Sequence, residues 1–263
     1  MKRLVQCAVA LILTACSGAP FTFVHMSDTQ IGFIDPSPVY WKSDSLMAAA
    51  VKDVNETGPA LVFITGDLIN EPYNAVQDSI YRTRKAEINA PVYEVPGNHD
   101  IMKFTPEKRQ HYLDWRGYDR FSFKAHGCAF IGIDSNCIKD GDAAAEAAQK
   151  EWLTGELAKT ARCRYTFIFL HCPIIKERLD EEEDYFNFPF QKRREYISLF
   201  KDYGVDAVFA GHTHMEYSTV QDGISFYTAG PVGSPLGRGF SGYNVVTVNK
   251  TGFSVEYVKT GSR

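Results

Sequence analysis

Five short apolar runs, FTFVHM, ALVFIT, APVYEV, YTFIFL and DAVFA, each give way within three residues to an Asp, Asn or His. Runs this short, rich in aromatic and β-branched residues and mostly closed by Gly, Pro or Ser, are strand signals. The polar residues past them are Asp28 and Gln30, Asp67 in GDLIN, Asn98, His99 and Asp100 in GNHD, His171 in LHCP, and His212 and His214 in GHTH. Each cluster lies past the same end of its run. A fold that uses them together must therefore bring those ends to one edge of its sheets.

The segments between the runs supply the means. Strands at Phe21–Met26, Leu61–Thr65 and Val92–Val95 alternate with helices predicted over 40–57 and 74–89, the βαβ pattern of a mainly parallel sheet. A helix over 106–115, a hairpin-like pair at 120–125 and 128–134, a helix over 143–159, a strand at 165–170, a helix over 192–202 and a strand at Ala207–Ala210 follow. Past Gly211 the helices stop, and short alternating runs at 215–220, Ile224–Thr228, 243–249 and Phe253–Lys259 read as antiparallel. The class is α/β, and two sheets face to face with helices outside bury both halves. With 263 residues, 44% of them hydrophobic, one domain over 21–263 has ample core.

Lys2 and Arg3, the apolar stretch 4–13 and the small residues after it read as an export signal over 1–15, too short to span a membrane. Leu13-Thr14-Ala15-Cys16 resembles a bacterial lipobox, which implies acylation at Cys16 and a tether over 16–20, and Ser17 after the Cys, in place of an acidic residue, favours the outer membrane. Outside the cytoplasm the remaining cysteines can pair. Cys128 and Cys137, like Cys163 and Cys172, lie at opposite ends of one strand, beyond the ~5.5 Å Cα separation that a disulfide needs. Either the cross-pairs Cys128–Cys163 and Cys137–Cys172 form, or all four stay thiols. A net charge of −4 with no basic run argues against sequence-independent nucleic-acid binding, which depends on clustered Lys and Arg. A phosphorylated small molecule or a phosphoprotein fits as partner.

A hydrolytic site with two metal ions needs hard oxygen donors, imidazoles, one carboxylate shared between the ions and open positions for water and phosphate. The clusters supply that inventory, and the imidazoles exclude a calcium-only shell. The order GD, GNHD, an isolated His and GHxH, each after a strand, resembles the calcineurin-like metallophosphoesterases from about Phe23 to the carboxyl terminus. The resemblance implies a four-layer αββα sandwich of two mixed sheets flanked by helices. It implies one divalent ion (Mn, Fe, Zn or Co) on Asp28, Gln30, Asp67 and His214, and a second on Asp67, Asn98, His171 and His212. It further implies attack on phosphorus by hydroxide held between the ions, with His99 as general acid and Asp100 holding its imidazole.

The usual first motif of that family is Asp-x-His, whereas Asp28-Thr29-Gln30 stands here. Asn70 occupies the place of the Tyr that marks purple acid phosphatases. The Gln form, with EDYFNFP, VFAGHTH and GSPLGRGFSGYNVVTV, is similar to the Ser/Thr phosphatase branch, which implies a phosphomonoesterase. A phosphodiesterase or nucleotide pyrophosphohydrolase uses the same site, and a non-catalytic surface lipoprotein that binds a phosphorylated or glycan ligand is the rival of another class.

Other residues carry weaker expectations. His25 is expected in the core and His111 and His126 at the surface. Gly66, Gly97 and Gly211 are expected to permit backbone bends. The acidic stretch 179–184 reads as a solvated loop, and the aromatic run 185–190 as packing at the rim of the site. Arg193 and Arg194 are candidates for clamping phosphate, with Asn136 and Arg238 behind them.

Overall fold

The computed structural model describes residues 19–35, 38–237 and 239–262. In chain order the strands are β1 (Phe21–Met26), β2 (Leu61–Thr65), β3 (Val92–Val95), β4 (Phe121–Ala125), β5 (Cys128–Gly132), β6 (Thr166–Phe169), β7 (Ala207–Ala210), β8 (Tyr217–Gln221), β9 (Ile224–Thr228), β10 (Gly242–Val248) and β11 (Phe253–Lys259). The helices are α1 (Trp41–Thr57), α2 (Ala75–Ala86), α3 (Asn98–Ile101), α4 (Pro106–Arg116), α5 (Asn136–Lys139), α6 (Ala143–Leu157) and α7 (Phe190–Asp202). The export signal, Cys16 and Arg238 lie outside the described residues.

The strands form a five-stranded sheet, β11-β10-β1-β2-β3, and a six-stranded sheet, β4-β5-β6-β7-β9-β8. β1, β2 and β3 run parallel, as do β5, β6, β7 and β9, so their carboxyl ends share one direction within each sheet. The expectation of antiparallel pairing past Gly211 holds for β8 with β9 and for β10 with both β1 and β11. It fails between β7 and β9, which are parallel because the β8–β9 hairpin reverses the chain once before it rejoins the sheet.

Period-two alternation sorts the side chains into layers. From β1, β2, β5, β6 and β7, Phe23, Phe63, Phe130, Phe167, Phe169 and Phe209 meet between the sheets, all fully buried. Phe63 stacks on Phe169 at 3.9 Å between centroids, and Phe23 meets Phe63, Phe130 and Phe209 edge-on. Such pairs add about 0.5–1.5 kcal/mol each beyond the area they bury. The alternate residues Val24, Met26, Val62 and Ile64 face outward onto Met47, Val51 and Val54 of α1 and Tyr81 of α2. Ile131, Ile168 and Val208 face Leu153 and Leu157 of α6 and Tyr196, Ile197 and Phe200 of α7. The result is the four-layer αββα sandwich.

Local chemistry sets the element ends. Asn74 caps α2 by accepting from Val76 and Gln77, so the helix starts at Ala75. One-turn helices α3 and α5 carry no readable period, and neither is expressed in the hydrophobic pattern. Cys128, Cys137 and Cys172 are buried thiols, so neither cross-pair forms.

Candidate metal centre

Past the carboxyl ends of β1, β2, β3, β6 and β7, the loops converge where the two sheets meet. Ligand atoms of Asp67, His171 and His212 lie within 4.8 Å of one another, and so do those of Asp28, Asp67 and His214. Asp67 belongs to both groups. His171 Nε2 stands 3.4 Å from Asp67 Oδ1 and 3.0 Å from Asn98 Oδ1. His214 Nε2 stands 3.4 Å from Asp28 Oδ1. The sequence clusters are thus brought together, with Asp28, Gln30, Asp67, His171, His212 and His214 buried and Asn98 half-buried.

The backbone pays for this arrangement with strain. Asp28, Gln30, Asp67, His212 and His214 all take left-handed conformations, with φ between 36° and 70°. Each such residue costs on the order of 1–3 kcal/mol, and strain of this kind clusters at functional sites. Of the three motif glycines, Gly66 alone is left-handed, at φ 82°. Gly97 and Gly211 do not supply bends as expected. They supply space, because a Cβ would lie 2.1 Å from Asp67 Oδ1 at Gly97 and 1.7 Å from Ser27 Oγ at Gly211.

Hydrogen bonds outside the cluster aim the imidazoles. His171 Nδ1 donates to Thr65 O at 2.7 Å and His214 Nδ1 to Ser234 O at 2.7 Å, so both turn Nε2 inward. His212 spends Nε2 on Tyr185 O at 3.0 Å, which leaves Nδ1 for the cluster. Acceptors from Asp67, Asn98 and His171 thereby converge on one point. Asp28 Oδ1 and Gln30 Oε1 are buried and accept no hydrogen bond, a costly state for oxygen that a cation relieves.

The electrostatics agree with a cation site. Burial opposes the charge on Asp67, but the imidazoles of His171, His99 and His212 outweigh it and hold the carboxyl below its usual range. Asp28 is held low against burial chiefly by His214. Desolvation opposes the charge on His171, yet Asp67 holds its pKa up at about 9, whereas burial and the His171 charge push His212 down to about 4. Carboxylates kept charged while imidazoles share protons with them are groups whose protons a divalent ion displaces.

His99 and Asp100 divide their roles differently from the expectation. Adjacent residues of a helical turn do not face each other, so Asp100 does not hold the His99 ring. Its carboxylate instead accepts from the backbone of Gly97 at 2.8 Å and Leu68 at 3.0 Å, tying the GNHD loop to the GD loop. Burial and the charge of Asp67 push this carboxyl up to about 7. The carbonyl of Asn70 is what holds His99, accepting from Nδ1 at 2.9 Å. The backbone N–H of His99 donates to Asp67 Oδ1 at 2.8 Å.

The expected phosphate clamp is not made by Arg193. Its side chain is fully buried, and its guanidinium donates to the carbonyls of Phe188, Leu179, Glu181 and Glu182. Arg194 is exposed over the ring of Phe190 at 5.1 Å. Asn136 is buried and donates to Pro96 O and Gly97 O, bracing the GNHD loop. His25 sits in the core as expected, between Thr65 Oγ1 at 2.8 Å and Asn244 Nδ2 at 3.2 Å, and His111 and His126 are exposed.

The aromatic run does reach the rim: the rings of Tyr185 and Phe186 lie 4.8 and 5.5 Å from His212. Supporting groups that sequence reasoning missed are the carbonyls of Thr65, Asn70, Tyr185 and Ser234. Main-chain acceptors have no residue signature, and only the aromatic run marked one of them.

The calcineurin-like phosphoesterase profile matches residues 21–216. The chain is 30% identical over 252 residues to the human protein named serine/threonine-protein phosphatase CPPED1, covering 87% of this chain and 80% of that one. It is 23% identical over 184 residues to a probable cyclic nucleotide phosphodiesterase of Psychrobacter arcticus, covering 64% of this chain and 61% of that one. Its fold is similar to a dimetal phosphatase from Danio rerio, with a TM-score of 0.69 and 16% identity over 91% of this chain and 97% of that one. A family match over most of the chain, on a sandwich whose strand ends gather two overlapping Asp/His groups, places it among hydrolases of phosphate esters that use two divalent metals: the chain belongs to the calcineurin-like phosphoesterase family.

Proposed function

We propose that this chain is a phosphomonoesterase of protein-phosphatase type. Asp28, Gln30, Asp67 and His214 hold one divalent ion, and Asp67, Asn98, His171 and His212 hold the other. The observation that carries this reading is the membership of Asp67 in both donor groups, beside the buried oxygens of Asp28 and Gln30 that accept no hydrogen bond. Bound there, two ions such as Mn, Fe, Zn or Co supply Lewis acidity toward a phosphoryl oxygen and lower the pKa of water toward ~7.

The chain's own residues supply the remainder. His99 is half-buried, and its backbone N–H holds Asp67 Oδ1. With Nδ1 committed to Asn70 O, Nε2 is the atom that hands a proton to the ester oxygen as its bond to phosphorus breaks. The imidazole then recovers a proton from water. Asp100 keeps the GNHD and GD loops in register, so the proton donor and the shared carboxylate hold their separation.

Support for a monoester substrate comes from the likeness to the human protein named a serine/threonine phosphatase over most of both chains. The shorter likeness to the Psychrobacter phosphodiesterase favours a diester as second reading. A panel of nitrophenyl phosphate, bis-nitrophenyl phosphate, nucleotides and phosphopeptides with Mn²⁺ tests both. Faster turnover of monoesters, abolished by chelation, is expected. Preferential turnover of the diester reverses the choice, and tight ester binding without turnover favours a non-catalytic surface protein.

Export and lipid anchorage at Cys16 belong to the same proposal and rest on the sequence alone: Lys2 and Arg3, the apolar stretch 4–13 and Leu13-Thr14-Ala15-Cys16. Labelling by palmitate in the wild type and not in Cys16→Ala is the expected result; an unlabelled wild type ends that part.

A further inference from the structure

The loop between β6 and α7 carries the acidic stretch 179–184 and then Tyr185, and it is far more firmly held than its composition suggests. Arg193 takes four of its carbonyls from inside the protein, those of Leu179, Glu181, Glu182 and Phe188. Lys139 Nζ donates to Asp184 O and Asn187 O, each at 2.6 Å. The fully buried Asn187 donates to Glu181 Oε1 and Glu182 O, and accepts from Asp184 N. Buried hydrogen bonds of this kind fix a main chain because breaking one strands a buried donor or acceptor.

What this brace fixes is Tyr185, a residue 58% exposed although the main chain around it is pinned. Its carbonyl accepts from His212 Nε2 at 3.0 Å, which turns Nδ1 of that imidazole toward Asp67. Its hydroxyl accepts from Asn98 Nδ2 at 2.9 Å, which turns Oδ1 of that amide toward His171 Nε2. One residue thus orients two side chains from different loops, His212 beside Asp67 and Asn98 beside His171. The Asp28, Gln30 and His214 group takes no such contact from it. His214 is oriented by Ser234 O and Gln30 by Asn70 Oδ1.

We propose that Tyr185 is a positioning residue for the ion on Asp67, Asn98, His171 and His212, and that Arg193 acts through it by locking the loop. The inference rests on the dimetal reading above. Outer groups that orient ligands change metal affinity by about 10–100-fold when removed, without touching the metal. Tyr185→Phe deletes the hydroxyl contact and keeps the carbonyl; Arg193→Lys leaves one point charge where a fork held four carbonyls and loosens both.

The test is a titration of the full-length, metal-stripped protein with Mn²⁺, followed by calorimetry and by elemental analysis of the loaded protein. Wild type is expected to take two ions. In Tyr185→Phe one binding step weakens about 10-fold while the other is unchanged, and in Arg193→Lys that same step weakens by up to about 100-fold. Unchanged affinities in Tyr185→Phe overturn the proposal, as does equal weakening of both steps. Because Tyr185 is exposed and phenylalanine keeps its ring, that variant decides the matter even if Arg193→Lys fails to fold. A wild type that binds fewer than two ions defeats the dimetal reading itself, which the wild-type titration reports separately.

Discussion

Asp28, Gln30 and His214 reach the shared carboxylate from the ends of β1 and β7 on left-handed backbone, and all three are buried. On the other side His212 shares the β7 end, the burial and the left-handed backbone, but Asn98 is half-buried and comes from the GNHD loop, and both are steadied by Tyr185 of a peripheral loop. One half of the centre is therefore set by loops that leave the core strands at the Phe layer, with Ser234 and Asn70 as its orienting groups. The other half is completed by chain that the core does not fix. A dimetal site built this way gains one position whose geometry is fixed with the fold and another whose affinity can be tuned without disturbing the fold.

The severest way to break that contrast is to remove what the halves share. Asp67→Asn removes charge from both positions, and turnover is expected to fall by 10³-fold or more on the order of magnitude that metal charge stabilisation supplies; steady-state kinetics with added Mn²⁺ checks it. His99→Ala removes none of the proposed ligands. It is expected to lower kcat by about 10²–10⁴-fold with metal content nearly unchanged by elemental analysis. Equal loss of metal makes His99 a ligand instead.

Gly97→Ala presses a methyl group onto Asp67 from the GNHD loop. Forced overpacking costs about 1–3 kcal/mol, so thermal unfolding is expected to shift down by several degrees. The effect that leaves activity at neutral pH least changed lies in the core that both halves stand on. Burial pushes His25 down to about 3 from an ordinary 6.5. Above 6.5 the folded and unfolded chains bind the same proton count at this site. Below it the unfolded chain binds one more, so stability is lost as pH falls from about 6.5 toward 3. Urea midpoints across that range are expected to slope less steeply in His25→Gln.

The sandwich was legible because period-two alternation pairs Phe21 with Phe23 in β1, Phe121 with Phe123 in β4 and Phe167 with Phe169 in β6, and the polar clusters mark one end of most runs. The members of the centre were legible for the same reason. How they are held was not. The His99 ring is steadied by a carbonyl, not by its neighbour Asp100, and the donor set of His212 depends on Tyr185 O. Arg193 looked like a phosphate ligand because a guanidinium suits phosphate and carbonyls alike; only burial distinguishes the two. The parallel β7–β9 pairing was hidden because a hairpin and a crossover leave the same alternating pattern.

The central claim is that the carboxylate of Asp67 joins two metal positions. Electron paramagnetic resonance of the Mn²⁺-loaded protein tests it most directly. The account predicts the spectrum of an exchange-coupled pair in the wild type, giving way to isolated six-line Mn²⁺ in Asp67→Asn; isolated ions in the wild type, or coupling that survives Asp67→Asn, would contradict it.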